Sequence, residues 1–265
     1  MEMDLLLEAI FQRYGYDFRD YARSSLKRRL QTSLTAEKLE TFSALQERIL
    51  CDPACLECLL LTLSISVTAM FRDPGFYRAL RTQVLPWLRT YPFVRLWVAG
   101  CSTGEEAYSL AILLEEEGLY ERSRIYATDF SEATLAKAAQ GIFPLATMMD
   151  YTRNYQEAGG GSFSDWYTAS YDNAILRPEL KRNMVFAAHN LVTDTVFNEF
   201  HLILCRNVMI YFNEKLQARV HQLFYESLAM FGMLGLGQKE FLRFSPREAC
   251  YETLDNAHRL FRKVR

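Results

Sequence analysis

Two short stretches carry residue types that can hold a charged nucleoside. In the first, Val94 to Ser109 (VRLWVAGCSTGEEAYS), an apolar run ends in Gly100, Cys101, Ser102, Thr103 and Gly104, all small or polar. Glycine removes the Cβ that would keep a ligand off bare backbone. Glu105 and Glu106 follow at the start of an apolar-periodic segment, where negative charge suits the helix dipole but would repel a pyrophosphate. A cationic or zwitterionic nucleoside fits that charge better. The dinucleotide fingerprint GxGxxG is not met, because Ser102 stands where its second glycine belongs. In the second stretch, Ile125–Thr128 ends at Asp129, which follows Gly104 by 25 residues. In nucleoside-binding α/β folds an acidic residue at the end of the second strand hydrogen-bonds the ribose hydroxyls. Asp129 can equally cap the next helix, beside Ser131.

Two further apolar runs end in polar turns. FAAHNLVTD places Asn190 and Leu191 after one, and LILCRNVMIYF places Arg206, Asn207 and Tyr211 after the next. Ligands of open α/β sheets bind beyond the carboxyl ends of the strands. The four turns therefore point to one shared cleft. Upstream, Arg72 sits beside Phe71 and before the turn signal Asp73-Pro74-Gly75, where it can be a surface residue or can line a cleft between domains.

The elements that must position these residues alternate from residue 94 onward, which argues a mostly parallel sheet with helices on both faces. Strands are expected at 94–99, 124–128, 184–188, 201–205 and 233–237, and helices at 105–117, 131–140 and 213–231. Asn213 is a plausible N-cap and Gly232 a plausible residue just past a helix end. A hairpin near 250–254 and 259–264 would add antiparallel strand at one edge. Residues 141–183 break the alternation. Their glycine triplet at 159–161 and the residues Phe163, Trp166, Tyr167, Tyr171, Ile175 and Leu176 suggest an inserted, mostly β, subdomain.

Residues 1–65 read as helices: Leu6, Ile10 and Tyr14 recur every four, and Phe42, Leu45 and Ile49 follow i, i+3, i+7. Residues 66–92 form a linker with a helix ending near Pro86. Cys51, Cys55 and Cys58 lack the paired spacing of a metal site, so core packing is the better reading and no metal is expected. Arg19, Arg23 and Lys27 are spaced by four, as on one helix face, with Arg28 and Arg29 beside them. Such a run is either a solvated face or a docking surface for an acidic partner. The net charge of −2 disfavours a whole-chain electrostatic nucleic-acid binder. Glu2 and Asp4 precede only a short apolar run, unlike a signal peptide, and no apolar run reaches membrane-span length. The six cysteines are then expected as thiols in a reducing, cytoplasmic compartment.

The motifs TAMFRDP, AGCSTGEEAYS, ATD, HNL and CRNVMIYF, in this order, resemble the chemotaxis receptor glutamate methyltransferases of the CheR family. The basic RSSLKRRL segment is similar to that family's amino-terminal domain. The resemblance implies a Rossmann-like, S-adenosylmethionine-dependent methyltransferase sheet with an N-terminal all-α domain and a small β-subdomain inserted at about 142–183. It implies S-adenosylmethionine as methyl donor, S-adenosylhomocysteine as product and the cytoplasmic helical region of methyl-accepting receptors as partner. Carried over by position, it makes Ser66, Thr68, Arg72, Gly100, Cys101, Ser102, Gly104, Glu106, Asp129, Phe130, Asn190, Leu191, Arg206 and Asn207 cofactor contacts. Arg72 and Tyr211 become the groups at the reacting end. With acidic receptor helices as partner, the spacing of Arg19, Arg23, Lys27 and Arg28 makes them the expected docking cations. Some family positions differ: Ser66 stands for an asparagine, Met70 for a phenylalanine, Ala107 for a proline, and Gln238-Lys239-Glu240 for histidine-serine-glutamate.

The implied chemistry is sound on its own terms. A glutamate carboxylate is ionised at neutral pH and needs no base to accept a methyl group. Two other readings stay open on the sequence: an S-adenosylmethionine enzyme acting on RNA or a small molecule, and a non-catalytic cofactor-binding signalling module.

Overall fold

The computed structural model describes residues 1–63, 68–243 and 245–265, so Ser66 lies outside the described residues. The chain opens with α1 (Glu2–Tyr14), α2 (Arg23–Glu37), α3 (Phe42–Cys51) and α4 (Pro53–Leu63). Each helix turns its periodic apolar positions inward, and Leu6, Ile10, Leu26, Leu30, Leu45, Ile49, Leu56 and Leu59 share one core. Cys55 packs into that core, whereas Cys51 and Cys58 are exposed, so core packing explains only one of the three. Phe130, from the second half of the chain, packs against this cluster, its ring centroid 6.1 Å from that of Phe18.

Within the linker that follows, residues 74–88 are helical. α5 (Pro74–Ala79) and α6 (Leu85–Leu88) are joined by a π-helical turn, Leu80–Val84. The helix expected to end near Pro86 ends at Leu88, with Pro86 in the first turn of α6.

The second half then runs β1 (Val94–Ala99), α7 (Glu105–Glu116), β2 (Ser123–Asp129), α8 (Glu132–Gln140), β3 (Ile142–Pro144), α9 (Met148–Glu157), β4 (Tyr167–Ser170), β5 (Asn173–Leu176), β6 (Met184–Ala188), β7 (Phe200–Cys205), α10 (Glu214–Ser227), β8 (Leu228–Leu236), β9 (Tyr251–Asp255) and β10 (Leu260–Lys263). The main sheet has the order β6-β2-β1-β7-β8-β10-β9. β6, β2, β1, β7 and β8 are parallel, and the terminal hairpin adds two antiparallel strands. Strand side chains alternate between two buried faces. Leu96 and Val98 join the core that contains α7, while Trp97 and Ala99 join the one that contains Val220 and Phe224 of α10. The chain winds outward from β1 through β2 to β6, then returns to the other side of β1 as β7. Adjacent carboxyl ends diverge at such a reversal and leave a crevice.

Two expectations need correction. The helix expected over 213–231 stops at Ser227, because Leu228 is already extended and β8 follows without a loop. Gly232 lies inside β8, where a Cβ would meet the Ala229 carbonyl at 2.8 Å and the Phe200 carbonyl at 3.1 Å. The run LAMFGMLGL is apolar on every side, so periodicity cannot separate buried strand from buried helix. The insert also holds more helix than expected. Its antiparallel sheet, β3-β5-β4, is there, but α9 lies between β3 and β4 and buries Met148, Tyr151 and Tyr155, an i, i+3, i+7 set. Among the described residues no helix is long and apolar enough to cross a membrane.

Candidate active site

At the reversal between β1 and β7 lies a cleft of about 970 Å³, counted to its open mouth. Its first wall is backbone turned by buried carboxylates. Gly100 and Cys101 donate to the Thr128 carbonyl at 2.8 and 2.9 Å, which laces the turn after β1 onto β2. Asp129, buried, accepts from the Ser102 N–H at 3.0 Å and from the Ser131 N–H at 3.1 Å. Burial pushes the Asp129 carboxyl up against those hydrogen bonds, which pull it down. Each carboxylate oxygen keeps a second lone pair for a ligand. The turn after β7 is held the same way. Glu240, buried in the loop after β8, accepts from the N–H groups of Asn207 (2.9 Å), Val208 (2.8 Å), Met209 (2.7 Å) and Gly237 (2.7 Å). Gly100 has φ +75, and a Cβ there would lie 2.5 Å from Val208 Cγ2. The two turns approach too closely for any other residue.

Arg206 joins this wall to the linker. Its side chain is 3% exposed and forms ion pairs with Glu106 at 2.8 Å and Asp73 at 2.6 Å. Nη2 also donates to the Arg72 carbonyl at 3.2 Å, and Phe76 stacks on the guanidinium at 4.1 Å. Burial opposes the charge on Arg206, but Glu106, Tyr77 and Asp73 together outweigh it and the pKa is raised. Phe71 and Asp73, on either side of Arg72, have φ of 52 and 58, and Ser102 and Asn207 have φ of 50 and 62. Thus four of the eight left-handed non-glycine residues among those described lie on or beside the cleft. Strain of this kind persists where surrounding contacts over-determine the backbone, and it clusters at functional sites.

The facing wall comes from distant segments. Thr68, Ala69 and Arg72 of the linker, Tyr211 and Phe212 after β7, Tyr21 just before α2 and Arg29 of α2 all line the cleft. Ala22 donates to the Tyr211 carbonyl at 2.8 Å and Asn213 to the Asp20 carbonyl at 2.9 Å. Tyr21 packs on Phe212 with ring centroids 5.0 Å apart.

The cleft therefore brings together Thr68, Arg72, Gly100, Cys101, Ser102, Glu106, Asp129, Phe130, Asn190, Leu191, Arg206, Asn207 and Tyr211. Gly104 is not among its lining residues. It has φ +97 at the start of α7, and a Cβ would meet Ala138 Cβ at 3.1 Å and Tyr108 at 3.2 Å rather than ligand space. The basic stripe also differs from its expected form. Arg19 precedes α2 and is tied to Asp17 at 2.8 Å and Glu8 at 3.0 Å, and Arg23 is paired with Asp4. Lys27 and Arg28 are exposed and form no ion pair among the described residues. Arg29 does not widen an outer face; it is buried with Leu26, Leu30 and Ser33, the inward face of α2.

Sequence reasoning missed several lining or supporting residues. Arg29 carried a signal, since it follows Leu26 by three on the apolar side of the helix. Glu240 carried only a family signal, the glutamate kept from histidine-serine-glutamate; it lies 33 residues after Asn207, with no spacing pattern linking them. Tyr21, Tyr77 and His189 also line the cleft and were passed over.

Comparisons with known proteins decide the family. The sequence model described as CheR methyltransferase, SAM binding domain, matches residues 66–255, and the one described as CheR methyltransferase, all-alpha domain, matches residues 1–64. The chain belongs to the CheR methyltransferase family. It is 50% identical to "Putative methyltransferase Cher3" of Pseudomonas putida, over 99% of this chain and 97% of that one. It is 31% identical to a chemotaxis protein methyltransferase of Listeria monocytogenes, over 91% of this chain and 90% of the relative. With the Salmonella typhimurium protein of the same name it shares 29% identity, over 89% and 82%. Membership makes the chain an S-adenosylmethionine-dependent methyltransferase. The cleft fits that cofactor. Glu106 and Asp129 suit a cationic ligand bearing hydroxyls, and the buried Ser102 hydroxyl, without a hydrogen-bond partner, sits among them.

Proposed function

We propose that this chain methylates the side-chain carboxylates of glutamate residues in the cytoplasmic helical region of chemoreceptor-type signalling proteins, giving glutamate methyl esters. One observation carries the reading: Arg72 and Tyr211 share a single cleft with the carboxylates Glu106 and Asp129. The names of the Listeria and Salmonella relatives support a chemotaxis role. In this reading the backbone of Gly100–Ser102, with Asn190, Leu191 and Asn207, holds the cofactor. Asp129 accepts from its ribose hydroxyls and Glu106 faces its cationic end. Arg206 pairs with Glu106 and fixes the linker that presents Thr68 and Arg72.

When bound, the cofactor supplies an electrophilic methyl carbon on a positively charged sulfur. The acceptor glutamate is already ionised, so no residue here need remove a proton. The protein's task is alignment, which contributes several kcal/mol when reacting groups are held in near-attack geometry. Arg72 draws the incoming carboxylate to the cleft and Tyr211 orients it. Too tight an arginine pair would stabilise the ground state, so Arg72 positions rather than activates. Lys27 and Arg28 on α2 offer exposed cations to an acidic receptor helix, which raises encounter rate more than affinity. The partner's cytoplasmic region places the reaction in the cytoplasm.

The test is incubation of the protein with methyl-labelled S-adenosylmethionine and either receptor cytoplasmic fragments or RNA. Label on receptor glutamate that is released by mild base is the expected result. Label on RNA, or cofactor binding without transfer to any receptor fragment, would overturn the assignment.

A further inference from the structure

The run Arg23 to Arg29 splits into two populations. Arg23, Lys27 and Arg28 are exposed, whereas Arg29 is 7% exposed and lines the cleft. Its Nη1 donates to the Leu63 carbonyl at the end of α4. Its guanidinium carbon stands 4.1 Å from the centroid of the Tyr211 ring. The remaining nitrogens, Nε and Nη2, are buried and have no hydrogen-bond acceptor. A planar guanidinium tolerates this when an aromatic face covers it, because the ring quadrupole attracts the cation and the two planes stack. Burial lowers the Arg29 pKa, and the neighbouring Tyr211 and Tyr21 act against that.

Three backbone and ring contacts anchor the same corner. Ala22 donates to the Tyr211 carbonyl at 2.8 Å, Asn213 to the Asp20 carbonyl at 2.9 Å, and Tyr21 packs against Phe212. The first domain thus grips both the main chain and the ring of Tyr211.

We propose that Arg29 is a positioning residue for Tyr211: stacked on the ring and tethered to Leu63, it fixes the plane in which the phenol meets the acceptor carboxylate. The proposal rests on the reading of Tyr211 as a group at the reacting end. It also gives the all-α domain a part in methyl transfer beyond docking. Lys27 and Arg28 face outward one or two residues before Arg29 faces the reacting end, so a single helical turn relates the docked partner to the phenol. Lysine cannot replace Arg29 in this role, since an ammonium is a point charge without a stacking plane.

The experiment uses the full chain with Arg29→Lys, Tyr211→Phe and the double variant. Turnover, receptor Michaelis constant and S-adenosylhomocysteine affinity are measured for each. Misplacing a reacting group by about 1 Å costs up to 10²-fold, so Arg29→Lys should lower turnover about tenfold. Receptor Michaelis constant and cofactor affinity should stay within about twofold of the parent, and the double variant should fall no further than Tyr211→Phe alone. Losses that multiply in the double variant would overturn the proposal, as would a raised receptor Michaelis constant at parental turnover. A second readout needs no activity. In protein carrying ¹³C-tyrosine, the Tyr211 signal, assigned by its loss in Tyr211→Phe, should shift in Arg29→Lys while that of Tyr14 does not. An unmoved Tyr211 signal overturns the stacking role. A parent that methylates no receptor fragment overturns the glutamate reading instead, and the shifted or unshifted signal still decides the placement of Arg29.

Discussion

The two walls of the cleft are built on different principles. The wall at the strand ends is backbone bent around buried carboxylates, with Asp129 and Glu240 together taking six main-chain N–H groups. The facing wall consists of side chains sent in from α2, the linker and the turn after β7, held by ion pairs and ring stacking. Charge-assisted bonds to a fixed backbone give a rigid, pre-formed surface. Side chains drawn from separate elements need the whole fold to be placed. The contrast suits a rigid half for the cofactor and a separately tuned half for the acceptor.

Arg206 is where the walls meet, and its loss should be the most damaging. Arg206→Met leaves Glu106 and Asp73 without their cation in a partly buried site. Removing one member of a buried ion pair costs about 3–5 kcal/mol, and urea unfolding should show a loss of that order together with abolished cofactor binding. A loss confined to stability would mean that the ion pairs serve the fold and not the cleft. Glu240→Gln should come next. The amide oxygen can still accept, but its NH₂ now faces main-chain donors, and hydrogen bonds to a charged group are worth about 1.5–3 kcal/mol each. A destabilisation of about 2–3 kcal/mol is expected, with weakened cofactor binding and unchanged receptor Michaelis constant. Parental cofactor affinity in folded Glu240→Gln would break the claim that the carboxylate sets the cofactor wall.

This contrast also explains what the sequence disclosed. Backbone turns at strand ends leave local signatures: Gly100 among small residues, Asp129 closing an apolar run, Asn207 in a fixed motif. The strands, the terminal hairpin and the N-cap at Asn213 were readable for the same reason, since period and capping chemistry are local. The reading failed where a local pattern had two solutions or the partner was far away. LAMFGMLGL is equally apolar as helix or strand, Arg19 and Arg23 keep helical spacing yet are neutralised by Asp17, Glu8 and Asp4, and Glu240 finds its partners only after folding. Gly104 had the right composition for ligand contact, but its Cβ direction is filled by Ala138 and Tyr108.

A smaller effect concerns pH. Burial raises the carboxyls of Asp129, Glu105 and Glu240, in each case against hydrogen bonds that lower them. The native state then holds protons that the unfolded chain has already lost. Stability of the ligand-free protein should therefore fall as pH rises from the ordinary carboxylate range near 4 through the raised values, and level off above them. Each such group contributes a slope of at most about 1.4 kcal/mol per pH unit within that window. Urea midpoints across the acid range check this, and Asp129→Asn should flatten part of the slope. Stability that rises through the window would mean that hydrogen bonding, not burial, governs these groups.

The smallest expected effect is at the docking face. Reversing Lys27 and Arg28 to glutamate should raise the receptor Michaelis constant several-fold and leave cofactor affinity alone. The defect should shrink as salt rises, because exposed charges are screened within about 8 Å at physiological ionic strength. Equal curves at low salt would make this a solvated face and place docking elsewhere.

The division between the walls is tested most directly by measuring S-adenosylhomocysteine affinity and receptor methylation on the same preparations of Asp129→Ala and Tyr211→Phe. Loss of one charged hydrogen bond is worth about 1.5–3 kcal/mol, so Asp129→Ala should weaken cofactor binding by one to two decades and recover much of its rate at saturating cofactor. Tyr211→Phe should bind cofactor as the parent does and methylate slowly at every concentration. If both substitutions move the same parameter, the cleft has no separate cofactor and acceptor walls.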